Sequence, residues 1–314
     1  MTASRLEVVV ARRDVAARDV TRFVLRRSTH GALPKWEPGA HVEVELPGGL
    51  LRQYSLCGDP LNPDQYEIAV LHKPDGRGGS RHMTTGLGVG AALSVSAPKS
   101  LFPLLPSKRY LFIAGGIGIT PIIPMIRAAE VAGSDWTLHY GGRSRQSMAF
   151  ADDLSSYGDR VSIVPQDEAG LLDLKRLLAD PITNTLIYCC GPEPLLQAVE
   201  AGSAHWPRGV LRVERFEPKT QANPESAAFQ VELRRSGVTL QVPADLSILE
   251  AIEDAGIPAL SSCGQGTCGT CLTHVIEGEP DHRDSLLDDE DRSAGDKMLI
   301  CVSRAKSKRL VLDI

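Results

Sequence analysis

Four cysteines near the end of the sequence have the spacing of an iron–sulfur ligand set. Cys263, Cys268 and Cys271 lie in one short segment, and Cys301 follows after 29 intervening residues. This spacing is typical of plant-type 2Fe–2S clusters, in which four thiolates hold two iron ions. The pattern therefore predicts a 2Fe–2S cluster in this part of the chain.

A structural zinc site, or a set of buried thiols, is the alternative interpretation of the same cysteines. Zinc sites usually pair two short Cys-x2–4-Cys knuckles, whereas here three cysteines crowd one loop and the fourth stands apart. The loop also contains Gly264, Gly266 and Gly269, which should let the backbone wrap tightly and direct N–H groups toward sulfur. Both features favour the iron–sulfur cluster.

A flavin site is indicated by two short segments of the first hundred residues. Arg52 to Ser55 lies in a predicted strand, and Gly79-Ser80 begins a predicted helix about 25 residues later. Tyr54 offers an aromatic face for an isoalloxazine ring, Ser55 a hydroxyl for ring N5, and the helix N-terminus a position for a phosphate. The Arg52 guanidinium would add a phosphate contact. An ordinary strand and turn would look the same, so this interpretation depends on the neighbouring domains.

A glycine-rich turn from Ala114 to Pro121 predicts a nucleotide site. It joins a strand to a helix, with Thr120 placed to cap the helix and Pro121 suited to its first turn. Only Gly116-x-Gly118 of the G-x-G-x-x-G pattern is present, so a simple Rossmann dehydrogenase is a poor match. The glycines still allow the backbone to approach a pyrophosphate closely.

A second turn, Cys190 to Pro192, follows the last predicted strand of this part. It lies at the carboxyl edge, where doubly wound sheets bind their ligands. Cys190 either borders a nicotinamide there or is a small buried residue before a helix. His139 to Arg143 ends another strand at the same edge, and Arg143 and Arg145 leave NADPH open as an alternative to NADH.

The distribution of short strands and helices predicts three domains. Strands separated by turns are predicted first, for an antiparallel β-barrel: 6–11, 20–27, 41–46, 52–56, 66–71 and 92–97. Strands at 110–114, 137–140, 161–164 and 186–189 then alternate with helices at 121–132, 173–179 and 192–204, as in a parallel α/β sheet. A hairpin of strands 229–234 and 238–242 and a helix at 247–255 open the last domain. The boundaries we expect are 1–105 for the barrel, 106–217 for the nucleotide domain, 218–228 for a linker and 229–314 for the cluster domain.

Composition excludes several classes of protein. The 314 residues are 42% hydrophobic and carry a formal net charge of -5 with mixed signs, so nucleic-acid binding is not expected. The longest apolar stretch, 111–126, is interrupted by glycine and proline and is too short to span a bilayer. No secretory signal follows Met1, so we expect a cytoplasmic protein.

In this order, the motifs resemble phthalate dioxygenase reductase and relatives such as vanillate O-demethylase reductase. The resemblance covers essentially the whole chain. It also includes Glu214-Arg215-Phe216 and Ser262 to Cys271. It implies a flavin barrel, a ferredoxin-reductase-like nucleotide domain and an α+β β-grasp ferredoxin domain, with FMN, NADH and a 2Fe–2S cluster as cofactors.

The resemblance also implies residue roles. Ser55 would bond flavin N5, and Arg52 and Ser80 would hold the FMN phosphate. Cys190 would approach nicotinamide C4, and Phe216 would lie near the flavin ring. The expected catalytic residues are therefore Ser55, Cys190 and Phe216. The implied cofactor-binding residues are Arg52, Gln53, Tyr54, Ser55, Ala69, Val70, Gly79, Ser80, Gly115, Gly116, Gly118, Thr120, Arg143, Cys190, Gly191, Pro192 and Phe216.

The expected function is the reductase component of an oxygenase system. Electrons from NADH would pass through FMN to the 2Fe–2S cluster and on to a separate Rieske-type terminal oxygenase, and the chain is expected to act as a monomer. A reductase for a non-Rieske acceptor, and a sensory module without turnover, are the alternatives. FMN rather than FAD follows from the family and from the domain order.

Overall fold

The computed structural model describes residues 5–219 and 226–314. The chain forms two compact units, the first ending at Glu214 and the second running from Arg215 to Ile314. The first unit contains two separate sheets, which correspond to the predicted barrel and nucleotide parts. Most of the predicted linker, residues 220–225, lies outside the described residues.

The first sheet is antiparallel throughout. Its strands are β1 Arg5–Ala17, β2 Val20–Arg27, β3 Ala40–Leu46, β4 Leu50–Ser55, β5 Tyr66–Leu71, β6 Ala92–Ser96 and β7 Lys99–Ser100. The order is β4-β3-β6-β1-β2-β5, with β7 beside β3. A bridge between Leu56 and Ile68 joins the two ends of this order and closes the sheet into the predicted barrel.

Strand β1 is longer than the predicted 6–11. It pairs with β6 through its first half and continues along β2 past two irregularities, at Val10/Arg12 and Val15/Ala17. The extension, residues 12–17, contains few apolar residues, and its Val15 is exposed, so the sequence shows little apolar periodicity there. A short helix, α1 Gly79–Arg81, follows β5 and continues as one π-helical turn, His82–Gly86.

The second sheet is parallel and covered by helices on both faces. Its strands are β8 Arg109–Gly115, β9 Asp135–Gly142, β10 Val161–Pro165, β11 Thr185–Cys190 and β12 Leu211–Glu214, in the order β10-β9-β8-β11-β12. The helices are α2 Ile119–Ala132, α3 Ala151–Ser155, α4 Gln166–Ala169, α5 Leu174–Leu177 and α6 Glu193–Gly202. Strand β12 was not predicted, and the predicted helix 173–179 is only one turn long.

Apolar residues fill both sides of this sheet, as parallel sheets require. Phe112 and Tyr188 face one core, while Ile113 and Ile187 face the other. Phe102 packs in the first of these cores, and the Tyr188 hydroxyl donates to the Pro103 carbonyl at 2.9 Å. Residues 102 and 103 therefore already pack with the nucleotide part, a few residues before the predicted boundary at 105. The boundary itself stays a prediction.

The second unit is a mixed sheet with one main helix. Its elements are β13 Phe229–Leu233, β14 Val238–Val242, α7 Ile248–Asp254, β15 Leu272–Glu277, β16 Pro280–Asp281, α8 Asp289–Ala294, β17 Lys297–Leu299, β18 Arg304–Ala305 and β19 Arg309–Leu312. The sheet order is β14-β13-β19-β15-β17, in which only β13 and β19 are parallel. Helix α7 begins with a capping box between Ser247 and Glu250 and buries Ile248 and Ile252. These features match the predicted ferredoxin-type domain.

Within the described ranges, no helix has both the length and the apolar character needed to cross a membrane.

Arg304 connects the early segments of the second unit. It is buried, and its guanidinium donates to the carbonyls of Leu246, Ala227 and Pro243 while lying 5.1 Å from the centre of the Phe229 ring. We expect Arg304→Met to lower the free energy of unfolding of this unit by about 2–4 kcal/mol, because three backbone carbonyls lose the charged donor that links their segments. Urea unfolding followed by circular dichroism would measure it.

Arg309→Met is the matched control. Arg309 is about half exposed and pairs with Glu232, so its loss should cost at most about 1 kcal/mol. Equal effects of the two substitutions would contradict the role given to Arg304.

Candidate functional site

The four predicted ligand cysteines come together in the second unit. Cys271 immediately precedes β15 and Cys301 follows β17, and these strands are paired at Leu272 and Leu299. The pairing brings the isolated fourth cysteine to the loop that contains the other three. Three of the four are buried and Cys263 is half-buried.

The loop points N–H groups and hydroxyls at the sulfurs. The Gln265 N–H donates to Cys263 Sγ at 3.3 Å, and the Thr267 hydroxyl lies 3.6 Å from the same atom. The Gly266 N–H points at Cys301 Sγ. The glycines at 264, 266 and 269 have φ of 64°, 69° and 68°, which confirms the expected tight wrap.

Contacts among the thiols run in a chain rather than around one point. Cys268 contacts Cys263, Cys263 contacts Cys301, and Cys301 contacts Cys271. Hydrogen bonds among the thiols lower the pKa of Cys263 and raise the pKa of Cys268 and Cys301. Over residues 5–219 and 226–314, no three His, Cys, Asp or Glu side chains are arranged to hold a single metal ion. Four thiols in a chain, with N–H donors beside them, fit a two-iron cluster.

The two turns predicted for the nucleotide are in contact at the carboxyl edge of the parallel sheet. Gly118 lies against the second turn so closely that a Cβ atom there would be 2.2 Å from the Cys190 carbonyl oxygen. A Cβ on Gly115 would meet Pro192 and Leu195 at 2.7 Å. The Tyr140 hydroxyl supports the first turn from below by donating to the Gly116 carbonyl at 3.0 Å. The half-buried backbone of Gly116 and Gly191 lies where the two turns meet, and pyrophosphate binding there stays a prediction.

The predicted capping role of Thr120 is wrong. Helix α2 begins at Ile119, so Thr120 lies inside its first turn, and its hydroxyl donates to the Ile117 carbonyl at 2.9 Å. The three-residue 3-10 turn Gly116–Gly118 leads directly into the helix, which moves the helix start toward the glycines. Thr120 is buried, whereas Pro121 is in the first turn as expected.

Cys190 is paired with an acidic residue to which the sequence analysis gave no role. Glu214 ends β12 directly beside Cys190 at the end of β11, and the thiol lies 3.9 Å from Glu214 Oε2. Burial raises the pKa of Glu214 to about 8 and that of Cys190 well above its usual range. Burial thus favours the neutral form of both groups, and the thiol lies within hydrogen-bond distance of the carboxyl group.

The flavin segment places Arg52 over the beginning of α1. A Cβ on Gly79 would lie 2.6 Å from Arg52 Cγ, so only glycine fits beneath this side chain. The guanidinium donates to the Leu51 carbonyl at 2.8 Å and the Arg77 carbonyl at 3.1 Å. A cation and the first N–H groups of a helix thus lie together, as a phosphate site requires.

The following residues of β4 also suit a bound ring. Gln53 Nε2 is buried and has no hydrogen-bond partner within the described part of the chain, so it has a donor to offer to a cofactor. Tyr54 packs against the barrel core and burial raises its pKa to about 12, while Ser55 is buried at the strand end.

Three of the predicted flavin-binding residues have side chains that already make contacts within the protein: Ser80, Ala69 and Val70. The Ser80 hydroxyl accepts from the Lys73 N–H at 3.0 Å and donates to the Lys73 carbonyl at 3.4 Å, so a phosphate would replace only the donated bond. Val70 faces the barrel core, and Ala69 packs with Ala149. Any flavin contact of these two residues would come from their backbone.

The remaining predicted residues lie at the edges of the units. Arg143 is exposed just after β9, and its carbonyl accepts from the Asp167 N–H at 3.2 Å. Phe216 is 40% exposed and belongs to the second unit, so its place beside a flavin stays a prediction.

Comparison with known proteins identifies the domains. Residues 231–306 match a 2Fe-2S iron-sulfur cluster binding domain, and residues 112–201 match an oxidoreductase NAD-binding domain. Over 300 residues the chain is 42% identical to phenoxybenzoate dioxygenase subunit beta of Ectopseudomonas oleovorans. The matched region covers 95% of this chain and 94% of that protein. The predicted cluster and NAD-binding domains are confirmed.

Two solved structures extend the likeness to the whole chain. Phthalate dioxygenase reductase, described as a modular structure for electron transfer from pyridine nucleotides to [2Fe-2S], is 37% identical with a TM-score of 0.74 and coverage of 99% and 98%. A type IV self-sufficient cytochrome P450 monooxygenase is 44% identical with a TM-score of 0.93. This chain is covered to 99% in that match but spans only 41% of the P450 protein.

Gly118→Ala should weaken nucleotide binding. The added methyl group would collide with the backbone of Cys190, and the turn must shift to relieve the overlap. Displacements of about 1 Å at such sites cost up to about 100-fold in activity, so we expect at least about a 10-fold rise in the apparent Kd for NADH. Stopped-flow flavin reduction at varied NADH would measure it. In Gly88→Ala the methyl group meets nothing within 4 Å, and that variant should bind like the wild type; equal binding by both variants would contradict the close approach.

Glu214 should make the first unit less stable as the pH rises. Its pKa of about 8 in the folded protein exceeds the ordinary 4.5, so the folded state keeps a proton that the unfolded chain releases. Stability is then greatest below pH 4.5 and falls as the pH rises through about 8. Glu214→Gln should remove this fall, measured as the difference in Tm between pH 5 and pH 9. Glu168, exposed after β10, provides the control Glu168→Gln; the same pH dependence in wild type and Glu214→Gln would refute the assignment.

Proposed function

Because the chain belongs to the phthalate dioxygenase reductase family of iron–sulfur oxidoreductases, we propose that it is the reductase component of an oxygenase system. Electrons would pass from NADH through FMN to the 2Fe–2S cluster and on to a separate Rieske-type terminal oxygenase. The observation that carries the proposal is the contact of three cysteines on an N–H-donating loop with Cys301 after β17, in the same chain as an NAD-binding domain. The chemistry comes from the cofactors: NADH supplies a hydride, the flavin divides it into single electrons, and the cluster accepts them one at a time.

The residues of the parallel-sheet edge would position the nicotinamide. The pyrophosphate would bind on the Gly116–Gly118 turn. From there the nicotinamide would extend toward Cys190. The neutral thiol, fixed by Glu214, would present an uncharged surface to the ring and so avoid stabilising the oxidised, positively charged form. Gly115, Gly191 and Pro192 would shape the walls of this site, and Arg143 would flank it.

The barrel would hold the flavin through β4 and α1. Arg52 and the N–H groups at Gly79 and Ser80 would bind the phosphate, and Ser55 would bond ring N5. Gln53 would use its unpartnered amide on a polar edge of the cofactor. The family and the domain order support FMN as the flavin.

The choice of NADH over NADPH is supported by the family. Arg143 is exposed at the end of β9 and Arg145 forms an exposed pair with Asp152 at 2.9 Å, so these cations do not discriminate between the two nucleotides. We further propose that the protein acts in the cytoplasm as a monomer and delivers electrons at the cluster domain.

A P450 haem protein is a second candidate acceptor. The observation in its favour is the TM-score of 0.93 and 44% identity with a self-sufficient P450 monooxygenase. Mixing the reduced protein with a Rieske oxygenase or with a P450 in separate stopped-flow experiments would distinguish the two. A Rieske acceptor should be reduced at the faster second-order rate, and faster P450 reduction would favour the second candidate.

Cys268→Ser should separate the two halves of the proposed pathway. Loss of one ligand should abolish the 2Fe–2S absorption and EPR signal, because three thiolates cannot complete the cluster. NADH-driven flavin reduction should stay within about twofold of the wild type, since the predicted nucleotide and flavin residues other than Phe216 belong to the other unit.

Cys57→Ser is the matched control for this substitution. Cys57 is also a buried cysteine, and burial raises its pKa to about 12, but it lies in the barrel. It should keep the cluster spectrum. Loss of flavin reduction in Cys268→Ser would contradict independent sites, and an unchanged cluster spectrum would contradict the ligand assignment.

A further inference from the structure

A buried carboxylate organises the turn beside the cysteine loop. Asp284 has no exposed surface, and its Oδ2 accepts from the N–H groups of Leu286 at 3.0 Å and Leu287 at 2.7 Å. Arg292 donates to the Asp284 carbonyl at 2.7 Å and approaches Oδ2 at 3.4 Å. The carboxylate and the arginine together fix the conformation of residues 284–287.

This turn is tied directly to the cysteine loop. The Ser285 N–H donates to the Gly266 carbonyl at 2.9 Å. The N–H of the same glycine points at Cys301 Sγ. Gly266 has φ of 69° and no space for a side chain, because a Cβ would lie 2.6 Å from Val302 and 3.0 Å from the Asp284 Cα. Gly266 is therefore held between the Asp284 turn and the fourth cysteine.

Burying this carboxylate costs desolvation free energy, so its presence here calls for an explanation. Asp284 Oδ1 has no hydrogen-bond partner in the described ranges, and His282 Nδ1 lies 3.8 Å away. Burial lowers the pKa of His282, which keeps the imidazole neutral, so the cation facing Asp284 is Arg292. Buried ion pairs often contribute little net stability, and their value then lies in fixing a specific geometry.

We propose that Asp284 and Arg292 are positioning residues for the cluster: by fixing Ser285 against Gly266, which packs against Val302 beside Cys301, they hold the Gly266 N–H toward the Cys301 sulfur and so raise the reduction potential. The proposal rests on the proposed function, because it requires the 2Fe–2S cluster. N–H bonds to sulfur stabilise the reduced cluster, which carries one more negative charge than the oxidised cluster.

The test compares two aspartates of the same segment. Asp284→Ala and Asp281→Ala each remove one negative charge, but Asp281 pairs with Arg283 at 2.7 Å and makes no contact with the Gly266 tether in the structure. Charge removal alone raises a cluster potential, whereas loss of the N–H bond lowers it. The sign of the shift therefore separates a positioning role from a purely electrostatic one.

The measurement is an EPR-monitored redox titration of the full chain with dithionite and mediators, which involves neither NADH nor an acceptor. For Asp284→Ala we expect the ratio of reduced to oxidised cluster at a fixed solution potential to fall about tenfold, a shift of about 59 mV for one electron. For Asp281→Ala the potential should not fall. A potential of Asp284→Ala equal to or above that of Asp281→Ala would overturn the proposal.

Arg292→Lys provides the test should Asp284→Ala fail to assemble its cluster. It keeps the charge but loses the guanidinium, whose Nη2 contacts both the Asp284 carbonyl and Oδ2. A lower potential than the wild type supports the proposal, and a wild-type potential overturns it. A wild-type protein without any 2Fe–2S EPR signal would instead refute the proposed function, so the two failures are distinguishable.

Discussion

The hydrogen bonds that loop N–H groups donate to cysteine sulfur are the constraint on which the electron-transfer end of this protein depends. The four thiolates and the two bridging sulfides of a 2Fe–2S cluster outweigh the charge of its two irons, and donors such as the Gln265 and Gly266 N–H groups offset the net negative charge. These donors need a backbone that only glycine adopts easily. The paired strands β15 and β17 then bring Cys301 to the same loop, so sheet and loop together define the site.

A different constraint governs the nucleotide end, where backbone must approach backbone. Strands β8, β11 and β12 lie side by side, and their carboxyl ends supply the glycine turn, Cys190 and Glu214 in turn. Gly118 permits the close contact between the first two, and desolvation keeps the thiol and the carboxyl group neutral. The edge of the sheet is therefore uncharged at Cys190 and Glu214. A nicotinamide beside it would gain or lose its positive charge without an ionic change in these two side chains.

Local patterns predicted most of the site, because its chemistry depends on residue types at short spacings. The four cysteines, the glycine turn and strands such as β2 and β5 lie where the sequence indicated. Contacts between distant segments were missed. Glu214 ends the short strand β12, which has no distinctive periodicity, and its pairing with Cys190 exists only in the parallel register. Thr120 was misassigned because a 3-10 turn moved the helix start.

The central claim is that the flavin relays electrons from NADH to the cluster within one chain. Its most direct test is anaerobic stopped-flow mixing with NADH, with the flavin and cluster absorption bands followed separately and EPR samples frozen during the reaction. The flavin should be reduced first, and the cluster signal should then appear at a rate independent of protein concentration. Flavin-depleted protein should leave its cluster oxidised. Equally fast cluster reduction without flavin, or a cluster that stays oxidised after the flavin is reduced, would contradict the account.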